Sequence, residues 1–279
     1  MHSPGTLWRK LRDGLLYRAV SGRRGRRVLF RHLRDAGVGV TREAGGIRLI
    51  AHADKIGMTL ARGELWQRAE FNAAVALLGA KGKLAPGGVF VDVGANIGMH
   101  SVYAAKSGQF ARVVAIEPLE ANFRLIEANA ALNGVGNITA VRCAAGARDG
   151  EVKLFTNAAN AGKSSIANDM GGGHETVRVR PLEAILADSS VDASDVRVLW
   201  IDVEGYEPDV LAGMPAMLAR RVPTVMEFSP IYLKERQEPL ADLLEANYNA
   251  CFVIEGSATR EVAFADLRSV RRQFDIVVF

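Results

Sequence analysis

The stretch Val89-Phe90-Val91-Asp92-Val93-Gly94-Ala95-Asn96-Ile97-Gly98 decides how the rest of the chain reads. Pro86-Gly87-Gly88 interrupts the chain just before it, and the β-branched and aromatic run that follows predicts a strand. Gly94 and Gly98 then allow a sharp turn with close backbone approach, and residues 100–106 continue in a helical pattern. Strand, glycine turn and helix are therefore expected in that order.

The same unit recurs downstream. Apolar runs at residues 112–116, 138–142, 196–201 and 222–226 alternate with helix-compatible segments such as 121–132 and 207–218, the pattern that builds a parallel sheet with helices on both faces. Two later runs, 251–254 and 275–279, lie too close together for a long helical crossover, so they are expected to pair as an antiparallel hairpin at the end of the sheet. The fold class read from this is α/β and Rossmann-like, with a mostly parallel seven-stranded sheet and an antiparallel C-terminal edge strand.

Upstream, a strand is expected in GIRLIAH from Gly45 and a helix over 64–78, with Trp66, Ala69, Val75 and Leu78 facing inward. Between the third and fourth core runs, EVKLFTN and TVRVRPLEAIL read as two extra strands around a Gly/Ser/Asn-rich loop, a candidate lid. The expected organisation is a basic N-terminal arm over 1–44 and a main domain over 45–279. That domain contains an N-terminal addition (45–85) and a strand-loop-strand insertion (150–181).

Charge is unevenly distributed. The 279-residue chain carries +4, but residues 1–40 hold ten Lys and Arg against Asp13 and Asp35, so the body is mildly acidic. Leu7, Leu11 and Leu15 recur at helical spacing beside Trp8 and Leu16, the pattern of a short amphipathic helix. Such an arm suits packing on the body or docking on an anionic membrane. Residues 21–27 read as a linker. No apolar run reaches the roughly 18 residues of a membrane span, and the N-terminus shows no secretory apolar region. A cytoplasmic location is expected, with peripheral association at the inner membrane face through the arm. Cys143 and Cys251 stand far apart and outside any CxxC spacing, which argues against a disulfide framework or structural zinc.

In an open parallel sheet, ligands bind beyond the carboxyl ends of the strands. Just past the five core runs stand Asp92-Val93-Gly94, Glu117-Pro118, Cys143-Ala144, Asp202-Val203-Glu204-Gly205 and Glu227. The turn lacks the middle glycine of a G-x-G-x-x-G dinucleotide motif and the Gly-Lys-Ser/Thr of a P-loop. An acid at Asp92 would repel phosphate yet suit a ligand bearing sulfonium and ammonium charges. S-adenosylmethionine carries both. Glu117, about twenty residues past the turn, is placed to accept hydrogen bonds from ribose hydroxyls. Taken singly, Asp92 also reads as a capping carboxylate and Glu117-Pro118 as a strand terminator.

VFVDVGANIG, AIEP (115–118), LWIDVEGYEPDVLAGM (199–214) and VMEF (225–228) together resemble the FkbM-type methyltransferases, over roughly Trp66 to the C-terminus. The resemblance implies a class I methyltransferase fold and S-adenosylmethionine as cofactor. It also implies methylation of hydroxyls on sugars, polyketides or related metabolites. By position it assigns the methionine end of the cofactor to Asp92, Gly94, Ala95, Asn96, Ile97 and Gly98, the ribose to Glu117-Pro118, and the adenine border to Leu119, Cys143 and Ala144. Asp202 and Glu204 correspond to the acidic pair at the transfer site, and residues 162–166 (GKSSI) resemble the family's double-serine loop.

The reaction expected is in-line displacement at the sulfonium methyl by a hydroxyl, with Asp202, Glu204 and His100 as candidates to take its proton. His100 reads equally well as a packing residue. Asp202 is also a candidate for the cofactor ammonium or a divalent ion, and no metal site is assigned. The expected partner is a glycan or small-molecule acceptor. An RNA methyltransferase is the alternative enzyme, motivated by the arm, but no module with paired aromatics supports nucleic acid as a partner. A non-catalytic interaction protein that kept the fold is the second alternative.

Overall fold

The computed structural model describes residues 39–157 and 164–279. The 7–16 amphipathic helix, the 21–27 linker and Gly162-Lys163 lie outside them.

A hairpin of β1 (Val40–Ala44) and β2 (Ile47–Ala51) opens the described chain, followed by α1 (Lys55–Ala61) and α2 (Arg68–Ala80). The central sheet has eight strands: β3 (Val89–Val93), β4 (Arg112–Ile116), β5 (Ile138–Val141), β10 (Val196–Ile201), β11 (Thr224–Phe228), β12 (Cys251–Glu255), β13 (Ala258–Val262) and β14 (Phe274–Val278). Their spatial order is β13-β12-β14-β11-β10-β3-β4-β5. From β5 to β11 the strands are parallel, while β14 runs antiparallel to β11 and to β12. The order reverses between β3 and β10, which opens the ligand crevice at that point.

The seven expected strands are present, joined by β13 at the edge. The closing runs do pair, Cys251 opposite Val278, but as neighbours across the sheet. The hairpin partner of β12 is β13, and α10 (Phe264–Leu267) then carries the chain back to insert β14 between β11 and β12. The exposed residues of β13 follow no apolar alternation, so the hydrophobic pattern that reveals the other strands is missing there.

The core strands β3, β4, β10 and β11 are buried almost throughout. Helices α3 (Met99–Lys106) and α4 (Glu120–Leu132) accompany β3 and β4, and α5 (Leu182–Asp188), α6 (Glu207–Ala212) and α7 (Pro215–Ala219) flank β10. Beyond β11 come α8 (Pro230–Leu233) and α9 (Gln237–Asn247). One large apolar cluster joins Val91, Leu199 and Met226 to Leu211 and Leu240, and a second joins Phe90, Val198 and Val225 to Phe71 and Tyr103. The continuous Val/Ile/Leu character of these strands reflects burial on both faces.

Helix α2 starts at Arg68 because Gln67 adopts a left-handed conformation, φ 50°. Its inward stripe is Phe71, Ala74 and Leu78, while Trp66 and Val75 are half-buried and Ala69 is exposed, which corrects the expected inward position of Ala69. The side chain of Asn129, fully buried in α4, receives the N–H of Ile50 (2.7 Å) and donates to the carbonyls of Ile50 (3.1 Å) and Ile97 (2.8 Å). It thus ties the N-terminal hairpin to the glycine turn and satisfies the edge of β2, whose unpaired backbone groups would otherwise be costly to bury.

The segment between β5 and β10 forms a separate small sheet. Strands β6 (Ala144–Ala145), β7 (Gly150–Thr156), β8 (Ser164–Ser165) and β9 (His174–Arg180) lie in the order β6-β9-β7-β8. None of the described helices is long and apolar enough to cross a membrane.

Candidate active site

At the carboxyl edge of the sheet, the turn after β3 sits against the end of β10. A Cβ on Gly94 would lie 2.0 Å from the carbonyl oxygen of Asp202, and Gly94 has φ 80°. Only glycine lets the two strand ends meet so closely. Gly98, also left-handed, begins α3, and a Cβ there would press on Ile126 of α4 at 3.1 Å.

Glu117 organises this turn. Its Oε2 accepts the N–H of Asn96 at 2.9 Å, and its Oε1 accepts the N–H of Leu119 at 3.0 Å and the Asn122 amide at 3.4 Å. Burial pushes its pKa up to about 7 despite these bonds. Asp92 lies beneath, 1% exposed, with one oxygen receiving the Ser101 hydroxyl at 2.6 Å. Its other oxygen has no partner among the described residues. Burial raises it, too, to about 7. Two buried carboxyls side by side, both raised by burial, suit a positively charged ligand.

A pocket enclosing about 1260 Å³, counting its open mouth, runs along this edge. Gly94, Ala95, Asn96, Ile97, Glu117, Pro118 and Ala144 line one half, and Asp202, Glu204, Tyr206, Glu227 and Gln273 line the other. Of the expected site residues, Asp92, Gly98, Leu119 and Cys143 stand behind the wall. Leu119 packs with Leu154 and Val179, and Cys143 belongs to the core, its thiol pushed up to about 11 mainly by burial.

In the second half, one donor oxygen each of Asp202, Glu204 and Glu227 lie within 4.8 Å of one another. Such an all-oxygen set matches the ligand type of a hard divalent cation. Glu227 accepts a hydrogen bond from the Gln273 amide at Oε1, and its Oε2 has no partner among the described residues. Burial, reinforced by Asp202, Glu204, Glu207 and Asp275, holds its carboxyl up to about 11.

His100 reaches the pocket between these halves but is only 7% exposed, stacked on Trp200 with ring centroids 4.3 Å apart. Burial lowers its pKa to about 3, so the imidazole is neutral across the physiological range and a poor proton store.

Several wall residues were not among the expected site residues, although Ser164 and Ile166 belong to the double-serine loop that the resemblance points to. Lys55, Ile56, Trp66 and Gln67 come from the segment before the core, and Leu154, Ser164 and Ile166 from the insertion. Lys55 lies over the Trp66 ring at 4.2 Å, and Gln67 donates to Asp275 at 3.2 Å. Glu227 was legible only as the acid following the fifth core strand.

A parallel sheet with antiparallel β14, a glycine turn after its first core strand and an acid closing the next define a Rossmann-like α/β protein of the methyltransferase type. The chain belongs to the FkbM methyltransferase family, since residues 92–268 match the Methyltransferase FkbM domain. It is 30% identical over 143 residues to Methyltransferase 1 of Beauveria bassiana (strain ARSEF 2860), covering 44% of this chain and 57% of that protein. It is also 30% identical over 181 residues to the AMB antimetabolite synthetase AmbE of Pseudomonas aeruginosa PAO1, covering 52% of this chain and 8% of the synthetase. The chain therefore matches only part of the length of either relative. Among solved structures, the methyltransferase FkbM of Methylobacillus flagellatus KT aligns at 17% identity and a TM-score of 0.44, over 71% of this chain and 45% of that one.

Proposed function

We propose that this protein transfers the methyl group of S-adenosylmethionine to a hydroxyl of a sugar, glycan or small metabolite. The observation that carries the reading is one continuous pocket joining the Glu117 turn to the carboxyl groups of Asp202, Glu204 and Glu227. One half suits a cationic nucleoside donor and the other a hydroxyl that must be aligned and deprotonated.

S-adenosylmethionine, when bound, supplies an electrophilic methyl group. The residues present fit it. The raised Glu117 carboxyl in the wall and the raised Asp92 carboxyl behind it, one oxygen of which has no partner among the described residues, would be favoured in their ionised forms by the positive charge that such a ligand brings. Glu117 would hold the ribose hydroxyls while keeping the Asn96 turn in place, and Ala144 would border the base. Asp202 and Glu204 would align the acceptor hydroxyl and receive its proton, and neutral His100 would contribute a hydrogen bond. Asp202, Glu204 and Glu227 could also hold a divalent cation against the acceptor oxygen, which would lower the pKa of the hydroxyl.

A carboxylate-lined acceptor half favours ligands rich in hydrogen-bond donors and disfavours phosphate-rich ones, which weighs against RNA. The basic arm over 1–40 is part of the same proposal, as a dock for anionic lipid at the cytoplasmic face. The reading is tested by calorimetric titration with S-adenosylmethionine, with NAD and ATP as controls, followed by an acceptor screen starting from glycans. Selective binding of the methyl donor supports it. Absence of that binding would redirect attention to an interaction protein built on the same fold.

A further inference from the structure

Glu204 adopts φ 51°, a left-handed backbone that residues with a Cβ rarely take. Its turn is held from two sides. From within, the buried carboxylate of Glu207 accepts the N–H groups of Val203 (3.3 Å) and Gly205 (3.2 Å), and Arg236 donates to the carbonyl of Gly205 at 3.2 Å. From outside come two residues of the insertion. The Ser165 hydroxyl donates to the carbonyl of Glu204 at 2.7 Å, and the Asn168 amide donates to the same carbonyl at 3.3 Å and to that of Tyr232 at 3.1 Å.

The Ser165 hydroxyl is committed to this contact. Its oxygen accepts the N–H groups of Ala167 and Asn168, both at 3.1 Å, so the one hydroxyl proton is directed at Glu204. Ser165 is wholly buried and Asn168 is 6% exposed, where loss of either donor would leave a buried carbonyl short of partners. The contact spans 39 residues of sequence and links β8 to the end of β10. The neighbouring Ser164 and Ile166 line the pocket.

The geometry points to Ser165 and Asn168 as positioning residues: by clamping the carbonyl of Glu204 they hold its left-handed turn and so aim its carboxylate into the pocket. Seating of the insertion and placement of the carboxylate thereby become one event, with the acceptor wall and the proton-accepting group set by the same piece of chain. This rests on the reading that Glu204 serves the transfer site.

The test uses the full chain with Ser165→Ala and Asn168→Ala. In protein carrying ¹³C-labelled Glu, the Glu204 carboxyl resonance is assigned by its loss in Glu204→Gln. In both alanine variants this resonance is expected to move, with amide hydrogen exchange at residues 203–206 at least tenfold faster and that of Val89–Val93 unchanged. With an acceptor in hand, kcat is expected to fall ten- to a hundredfold while the Kd for S-adenosylhomocysteine stays within twofold. The inference is overturned if the resonance and the exchange match the unsubstituted protein in both variants, or if kcat is unaffected when they change. Should Ser165→Ala fail to fold, Asn168→Ala decides alone. Should no acceptor be methylated by the unsubstituted protein, the proposed function fails, and the resonance and exchange still decide whether the clamp places the carboxylate.

Discussion

The carboxylate of Glu117 accepts the backbone N–H of Asn96 across 2.9 Å, so the acid closing β4 also fixes the glycine turn closing β3. One side chain therefore shapes the turn that lines this half of the pocket and lines it too. In Glu117→Ala the N–H groups of Asn96 and Leu119 lose a buried acceptor, at a cost of about 1–3 kcal/mol. A lower melting temperature and at least tenfold weaker binding of S-adenosylmethionine are expected, by thermal denaturation and calorimetry. Unaltered affinity would remove Glu117 from the donor site.

Binding of the donor should be linked to pH. Asp92 and Glu117 titrate near 7 in the native state, against about 4 when unfolded. Between those values the folded protein holds more protons than the unfolded one, so this contribution to stability is full below about pH 4 and is lost as pH rises through 7. A cationic ligand favours the ionised carboxyls and should expel protons on binding. Affinity is expected to increase from pH 6 to pH 8, and titrations near pH 7 in buffers of different ionisation enthalpy should register proton release. Binding enthalpies that do not vary with buffer would contradict this.

Glu227, held up to about 11 mainly by burial, is protonated at neutral pH in the ligand-free protein. Glu227→Gln then replaces a neutral carboxyl with a neutral amide of the same shape. The melting temperature at pH 7 should change by no more than a degree or two, whereas turnover should drop at least tenfold. If a divalent cation joins Asp202, Glu204 and Glu227, stripping with EDTA should suppress turnover and Mg²⁺ should restore it in the unsubstituted protein alone. Full activity after stripping would eliminate the metal.

Gly94→Ala sets a methyl group against the carbonyl of Asp202, 2.0 Å from the ideal Cβ position, on a left-handed backbone. The Asp202 N–H also donates to the Val93 carbonyl at 2.9 Å, which holds the two strand ends together. A loss of about 2–4 kcal/mol or failure to fold is expected, measured by urea denaturation. A variant of ordinary stability would show that the two ends can separate.

His100, lowered to about 3 by its burial against Trp200, should impose no limb on the pH dependence of turnover between 5 and 8. In His100→Asn, any limb seen in that range should persist at the same pH. Its disappearance would assign it to the imidazole.

The strand-turn-helix at 89–106, the alternation that follows and the acids at the strand ends were legible in the sequence, because they depend on short-range periodicity and on glycine's backbone freedom. Asp202 and Glu204 could be placed together at one strand end for the same reason. Three-dimensional assembly decided what has no local signature. It inserted β14 beside β11, and it brought Trp66 and Gln67 against a pocket more than twenty residues downstream of them. It also set Asp92 and Cys143 behind the wall rather than in it. Glu227 joins Asp202 and Glu204 because β11 is parallel and adjacent to β10. Glu204 is held by Ser165 and Asn168 because a buried carbonyl must find donors wherever the fold supplies them. Periodicity specifies which face of an element is buried; which distant groups then meet is settled by strand order and by hydrogen bonds that only the packed chain can complete.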